Sequence, residues 1–370
     1  MTHNSINKIK TIAFYLPQFH PIPENNKWWG MGFTEWTNVA RAKPFFKGHY
    51  QPHIPADLGF YDLRLPEARK AQADLARKYG ITAFCYWHYW FGNGKRILER
   101  PFNEVLNSGE PDFPFCLAWA NETWSGIWHG NPKTVLMEQV YPGLEDYIAH
   151  FDFLLPAFKD PRYFKVNGKP LFMVYKPMEI PDLELFVNTF RRLAEDNGLE
   201  GIHLVATNVD PDWPAKKYGF DALTPAVHTK NSYLRSANKF VDLYRRAKTS
   251  RLRKYYKKIF KRPTRIYDYK DAVQEFTEEH GENIYYPTVI PNWDNTPRSG
   301  LNGFVLHNST PALFKKAMLN AKKLVETYDE ENRIIFIKSW NEWAEGNHLE
   351  PDLKFGHQYL EVILDVLNDK

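Results

Sequence analysis

RIIFIKSWNEWAEGNHLEPD, Arg333 to Asp352, opens as an apolar run and closes as a dense mixture of Trp, Asn and Glu. The first half is near-continuously apolar, as a parallel strand covered on both faces is. The second half places Trp340, Asn341, Glu342, Trp343, Glu345 and Glu350 directly beyond the strand end.

Working outward, seven more runs have the apolar form. They are TIAFYLP from Thr11, ITAFCYW from Ile81, PFCLAWA from Pro114, PLFMVYK from Pro170, IHLVATN from Ile202, FDALTPAV from Phe220 and YPTVIPNW from Tyr286. Amphipathic segments alternate with them. LPEARKAQADLARKYG, Leu65 to Gly80, carries Ala and Leu on one face and ends on a Gly stop. LEDYIAHFDFLLPAF, DLELFVNTFRRLAEDNG, YKDAVQEFTEEHG and TPALFKKAMLNAKKLVETY have similar patterns. Eight strands with interleaved helices predict an α/β fold of the (β/α)8 barrel type. A doubly wound open sheet is the alternative, but no Gly-rich phosphate turn follows a strand. The 370 residues fit one such barrel domain over 1–370, with elaborated βα loops and a basic helical insertion between strands six and seven, at about 230–268.

In these barrels chemistry sits on the loops after the strands. Strand one is followed by YLPQFHPIPENNKWWGMGFTEWTNV, with Tyr15, Gln18, His20, Trp28, Trp29, Glu35, Trp36 and Asn38. Strand two leads to Tyr86, Trp87, His88, Tyr89 and Trp90, and strand three to Trp119, Asn121, Glu122 and Trp124. Strand five ends in Asn208 and Asp210, strand six leads to His228, and strand seven ends in Asn292, Trp293 and Asp294. A single Trp is ordinarily core. Trp, Asn, His and Glu recurring at the same end of successive strands predict an aromatic-walled cleft. Such a cleft stacks on a sugar's apolar faces and hydrogen-bonds its hydroxyls. Tyr15, Gln18, His20, Glu35, Trp36, Tyr86, His88, Trp119, Asn121, Glu122, Trp124, His228, Trp293, Asp294, Asn341 and Glu350 are the candidate substrate-binding residues. Glu350, before Pro351, is also read as a supporting hydrogen-bond partner.

Aromatic residues make up 16% of the chain, which supplies both core and stacking surface. Net charge is +4 and predicts no partner by itself. Cys85 and Cys116 lie in apolar runs and read as buried thiols. No HExxH or Cys cluster calls for a metal, no GxSxG elbow for an esterase, and no cofactor is expected. The N-terminus lacks a signal peptide's apolar core and no run approaches ~18 apolar residues, so the expected location is cytoplasmic.

Glu342 and Glu345 are the candidate catalytic residues. Glycosidic cleavage needs one group to protonate the leaving oxygen and another to supply or activate a nucleophile. If the chain is helical there, both side chains share one face. Trp340 and Trp343 would desolvate a carboxyl and raise its proton affinity.

These motifs together resemble the WbsX-type family, described as glycosyltransferase-like and related to glycoside hydrolase family 99 endo-mannosidases. The resemblance covers nearly the whole chain and rests on FYLPQFHPIPENNKWWGMGFTEWTNV, CYWHYWF, LAWANETW and SWNEWAEGNHLEP. It implies a (β/α)8 barrel and a metal-independent retaining reaction. In that reaction one carboxylate deprotonates the sugar 2-hydroxyl, whose oxygen attacks C1 to give a 1,2-anhydro sugar. A second carboxylate protonates the leaving group and then activates water. By motif match Glu342 would be the base and Glu345 the acid/base. The first loop departs from the family 99 pattern, so mannose specificity does not carry across. The family's association with O-antigen and surface-polysaccharide gene clusters implies an oligo- or polysaccharide substrate. It also leaves a glycosyltransferase of lipopolysaccharide biosynthesis as the alternative, with a non-catalytic glycan-binding protein third. Only DPD, Asp210 to Asp212, has the DxD spacing of a sugar-nucleotide transferase, and it reads as a Pro turn.

From Arg245 to Arg265 there are eleven Lys or Arg and no acid. Leu252, Tyr255, Tyr256, Ile259 and Phe260 fall at helical spacing within it. A basic amphipathic helix of this kind suits an anionic inner-membrane surface or a lipid-linked glycan, or else packs on the barrel with a solvated basic face. No recognised motif accompanies it for nucleic acid.

Overall fold

The computed structural model describes residues 9–126, 131–210, 212–225, 257, 259–273 and 283–369. His228 and most of the Arg245 to Arg265 stretch lie outside the described residues, as does most of YKDAVQEFTEEHG.

All eight apolar runs contain strands. They are β1 (Lys10–Tyr15), β2 (Ala83–His88), β3 (Phe115–Trp119), β4 (Lys169–Val174), β5 (His203–Ala206), β6 (Ala222–Leu223), β7 (Thr288–Val289) and β8 (Ile334–Ile337). Their order in the sheet is β7-β8-β1-β2-β3-β4-β5-β6. Every pairing along it is parallel. The Leu223 N–H donates to the Ile284 carbonyl at 2.9 Å, and the Tyr286 N–H donates to the Leu223 carbonyl at 2.8 Å. Because Tyr286 leads directly into β7, these bonds join the two ends of the sheet and close the barrel.

Two short helices, α1 (Glu35–Arg41) and α6 (Thr296–Ser299), lie at the barrel mouth, and α2 (Pro66–Lys78), α3 (Arg100–Ser108), α4 (Leu144–Lys159), α5 (Leu183–Asp196), α7 (Pro311–Val325) and α8 (Gln358–Asn368) cover the outer face. Their ends follow local chemistry. Pro66 starts α2 where no backbone donor is needed, and Arg77 and Lys78 face the negative end of its dipole. Gly80, at φ +82°, turns the chain away. Thr310 accepts the Leu313 N–H at the start of α7, with Pro311 next in line.

Two-residue alternation divides the barrel wall into two faces. Phe14 stacks on Trp87 at 5.0 Å and on Phe336 at 5.4 Å, which fills the interior from three neighbouring strands. Cys85 and Cys116 are adjacent, buried and reduced. The alternate residues face the helices. Among the described residues no helix is long and apolar enough to cross a membrane.

Candidate active site

Beyond β8 the chain forms a tight hairpin. Asn341–Glu342 pairs antiparallel with Asn347–His348, and Trp343–Glu345 makes one 3-10 turn between them. The helical geometry considered from the sequence is thus reduced to this single 3-10 turn. Gly346, at φ +60°, reverses the chain, and a Cβ there would meet the Asp294 backbone nitrogen and Cβ at 3.1 Å. Ser339 locks the same hairpin. Its hydroxyl accepts the Glu342 N–H at 2.9 Å and donates to the Asn347 carbonyl at 2.6 Å.

Asn341 fastens the hairpin to β1. Its side chain accepts the Leu16 N–H at 2.7 Å and donates to the Leu16 carbonyl at 3.1 Å. Asn121 makes the same kind of clasp between the ends of β3 and β4, through the Lys176 N–H and carbonyl, both at 2.8 Å. Both amides therefore hold strand ends together and are spent on backbone.

The hairpin brings Glu342 and Glu345 to the barrel mouth, both buried. Glu342 Oε1 accepts the Trp87 indole N–H at 3.0 Å. Among the described residues its Oε2 has no hydrogen-bond partner, and it lies 3.8 Å from Lys338 Nζ. Burial raises the Glu342 pKa to about 7, against the pull of Lys338 and with the neighbouring Glu345 adding to the rise. Glu345 has a different environment. Arg298 Nη1 donates to its Oε1 at 2.7 Å while Arg298 Nε donates to Glu35 Oε2 at 3.0 Å. Burial opposes the Arg298 charge, but Glu35, Glu345 and Glu342 outweigh it and hold its pKa above the ordinary value. The ligand-free pair thus favours a proton on Glu342, while Glu345 is engaged by the Arg298 guanidinium.

This asymmetry has a thermodynamic consequence. Glu342 goes from an ordinary 4.5 to about 7 on folding, so between those values the folded chain binds more protons than the unfolded one. The stability this group contributes is fully present below pH 4.5 and lost as pH rises through about 7. Glu342→Gln is therefore expected to stabilise the fold by roughly 1–3 kcal/mol at pH 8 and by little at pH 4.5. Urea denaturation at both pH values measures this. An equal effect at the two values would contradict a buried, proton-holding Glu342.

Lys338 and the aromatic walls complete the interior. The Lys338 ammonium sits over the Trp87 ring at 5.3 Å and the Trp293 ring at 5.1 Å. Tyr175, at the end of β4, meets Trp87 edge-on at 5.6 Å, and Tyr89 lies within the field of Glu342, Arg298, Glu122 and Glu35. Trp124 packs edge-on against Tyr89 at 5.2 Å and against Trp28 at 6.1 Å, forming an aromatic rim. Glu122, also on the rim, pairs with Lys176 at 3.0 Å.

The expected binding residues separate into groups. Glu35 joins the central cluster through Arg298, and Trp293 lines it. Gln18 is buried beside the cluster, and its carbonyl accepts the Glu35 N–H. Tyr15, Tyr86, His88 and Trp119 face the helices instead. Tyr15 donates to Gln72 of α2 at 2.6 Å, Tyr86 packs on Phe102 of α3, His88 meets His150 of α4 at 2.9 Å, and Trp119 packs on Phe186 of α5. Each is one position out of step with an inward residue, which puts it on the other face of its strand. His20 has Asp62, Arg100 and Arg64 as its charged neighbours, and burial lowers its pKa to about 4. Asp294 is saturated by its own protein. Its carboxylate accepts from His49, Gln51, the Thr296 N–H and the Thr296 hydroxyl. Burial raises its proton affinity, but these donors outweigh it and hold the group ionised below its ordinary pKa.

Trp36 and Glu350 support the hairpin from behind. The Trp36 indole donates to the Tyr61 carbonyl at 2.7 Å, and its ring packs on Trp343 at 5.7 Å. Glu350 accepts from Trp343 Nε1 at 2.6 Å, Tyr61 at 2.9 Å and Gln72 at 2.7 Å. Burial pushes Glu350 up to about 7 even with those donors. The sequence reading passed over Arg298 and Lys338 entirely, and it noted Trp87 and Tyr89 without selecting them.

Among the described residues one group of three could converge on a cation: His53, His348 and Asp352. His348 Nδ1 faces the Glu350 carbonyl at 2.8 Å, so it carries the proton and leaves Nε2 to accept from His53 Nδ1 at 2.9 Å. Asp352 Oδ1 accepts the Lys354 and Phe355 N–H groups. The His348 ring stacks on Trp343 at 3.7 Å. These bonds form a brace between the segment after β1 and the hairpin.

Comparison with known proteins adds the relationships of the whole chain. The sequence matches the family described as Glycosyltransferase WbsX over residues 11–363. It is 37% identical over 367 residues to the uncharacterized protein WxcX of Xanthomonas campestris pv. campestris strain B100. That alignment takes in 96% of this chain and 49% of WxcX, so the chain spans about half the length of the curated relatives it matches. Among solved structures, a glycoside hydrolase-like protein matches with TM-score 0.60 at 15% identity, over 99% of this chain and 96% of the other. The GH99 endo-alpha-mannosidase from Bacteroides thetaiotaomicron matches with TM-score 0.56 at 16% identity, over 97% and 96%. Those two likenesses concern the fold and agree with the barrel. The family match and the relative at 37% identity place the chain in the WbsX glycosyltransferase family.

Proposed function

We infer that this barrel is a catalytic domain acting on a bacterial surface polysaccharide, as a retaining glycoside hydrolase or transglycosidase that uses Glu342 and Glu345. The observation that carries the reading is the buried glutamate pair at the barrel mouth, with unlike environments and indole walls beside it. Unlike environments are what separate an acid from a base.

In the reaction Glu342 takes the proton of the sugar 2-hydroxyl. That oxygen attacks the anomeric carbon, and the bond to the leaving oxygen breaks with its electron pair. Glu345 protonates the leaving oxygen. Water, deprotonated by Glu345, or an acceptor hydroxyl then opens the 1,2-anhydro sugar, and Glu342 returns its proton to the 2-oxygen. The cycle requires one proton shared by the pair, on Glu345 at the start. The ligand-free environment favours that proton on Glu342, so sugar binding must move it. Arg298 suits this exchange because Glu35 keeps it paired if it releases Glu345.

The second reading, a glycosyltransferase, is favoured by the family's description. A reducing-end assay on purified O-antigen polysaccharides, without nucleotide sugar, separates the two. New reducing ends, or transfer between glycans, are expected. Turnover only on addition of a nucleotide sugar would overturn the hydrolase reading.

The reading extends to the basic stretch Arg245 to Arg265, whose charge suits an anionic membrane surface or lipid-linked glycan. In liposome sedimentation at low salt, more protein is expected to pellet with anionic than with neutral lipid. Equal recovery would remove this part.

A further inference from the structure

Lys338 is a buried ammonium inside the barrel, and the chemistry above leaves it without a task. It follows β8, where alternation places it on the inner face with Phe336. Its surroundings suit a cation. Two indole faces flank it, and the Glu342 carboxyl lies at 3.8 Å, too far for a hydrogen bond and close enough for strong Coulomb attraction once that carboxyl ionises. Packing alone would be served better by an apolar residue, since an imperfectly paired buried charge is costly.

The groups facing Glu342 come from every side. Lys338 approaches from β8, Glu345 from the turn, Arg298 from α6 and Tyr89 from beyond β2, with Tyr175 at the end of β4. Two cations, Arg298 and Lys338, thus meet three carboxylates, Glu35, Glu342 and Glu345. Arg298 contacts two of them directly. Lys338 is the cation beside Glu342 Oε2, which has no hydrogen-bond partner among the described residues.

We propose that Lys338 is the positioning residue of the glutamate pair: it stabilises ionised Glu342 and so permits the pair's proton to pass to Glu345 when a sugar binds. Arg298 draws the pair toward the opposite distribution through its direct ion pair with Glu345. The two cations thereby balance the proton between the glutamates, and the balance can be tipped by a bound hydroxyl. Lys338 acts through Glu342 and needs no bond to the sugar. The proposal rests on the acid/base reading of the pair.

The test reads the ligand-free protein. Side-chain carboxyl 13C resonances of glutamate-labelled protein are titrated, and Glu342 is assigned as the signal missing in Glu342→Gln. Lys338→Met is expected to move the Glu342 midpoint upward by about one pH unit or more, while Lys338→Arg stays near wild type. Lys338→Gln replaces the Met variant if that one fails to fold. A folded neutral variant with the wild-type midpoint would overturn the proposal. No turnover is involved, so a wild-type protein inert toward every glycan would sink the functional reading and leave this titration standing. With an active glycan, the neutral variant is expected to shift the pH–rate profile in the same direction. A merely structural Lys338 would change the rate without moving that profile.

Discussion

Glu345→Gln is expected to lower glycan turnover by about 10²–10⁴-fold, the usual contribution of a positioned acid or base. Glu342→Gln is expected to lose as much, by a different route. Gln at 345 still accepts a hydrogen bond from Arg298 but has no proton for the leaving oxygen. Gln at 342 still accepts the Trp87 N–H but cannot take a hydroxyl proton. The two losses should separate with the leaving group. An activated aryl glycoside needs little protonation, so it should recover much of the first step in Glu345→Gln and none in Glu342→Gln. Because the two residues act as a unit, the double variant should be scarcely worse than either single one. Wild-type-like turnover in both single variants would remove them from the chemistry.

Arg298→Met is expected to destabilise the fold by about 3–5 kcal/mol, the cost of leaving a buried charge without its partner. Arg298 is 14% exposed and answers two carboxylates that are 4% and 7% exposed. Without it, Glu35 and Glu345 would be close, buried and unpaired, and one would take up a proton on folding. The penalty should therefore shrink as pH falls toward the carboxylate range. Adding Glu35→Gln should recover part of the loss, because one charge then needs no partner. Guanidinium denaturation of the single and double variants at pH 5 and pH 8 measures both effects. A loss that is independent of pH, and untouched by Glu35→Gln, would show that the Arg298 stem matters and its charge does not.

The barrel was legible because its strands are covered on both faces. Parallel strands of that kind read as apolar runs, and all eight runs proved to contain one. The same property hid the site's inner lining. A near-continuous apolar run does not announce which alternate residues point inward. In YWHY at the end of β2 the sequence pattern pointed to Tyr86 and His88, whereas Trp87 is the residue that reaches Glu342. Tyr86 and His88 stand one position away from it, and in a strand one position is a change of face. The hydrogen bonds of Asn121, Asn341 and Asp294 were likewise not legible in the sequence. Their functional groups are consumed by backbone and neighbouring side chains that are distant in sequence. The glutamates were legible because NEWAEG concentrates them, although the predicted helix proved to be a hairpin set by Gly346. Arg298 had a usable signal in charge balance. The acids expected at one barrel mouth require cations, and NWDNTPRSG supplies one at the neighbouring strand end. Lys338, one residue before the SWNEWAEG motif, supplied the other.

The most direct measurement is a crystal structure of the Glu342→Gln variant with a cleavable oligosaccharide bound. The expected result is a sugar between the Trp87 and Trp293 walls, with its 2-hydroxyl within hydrogen-bond reach of the side chain at 342 and its glycosidic oxygen within reach of Glu345. A sugar bound across the barrel mouth with both oxygens remote from these two side chains would contradict the account.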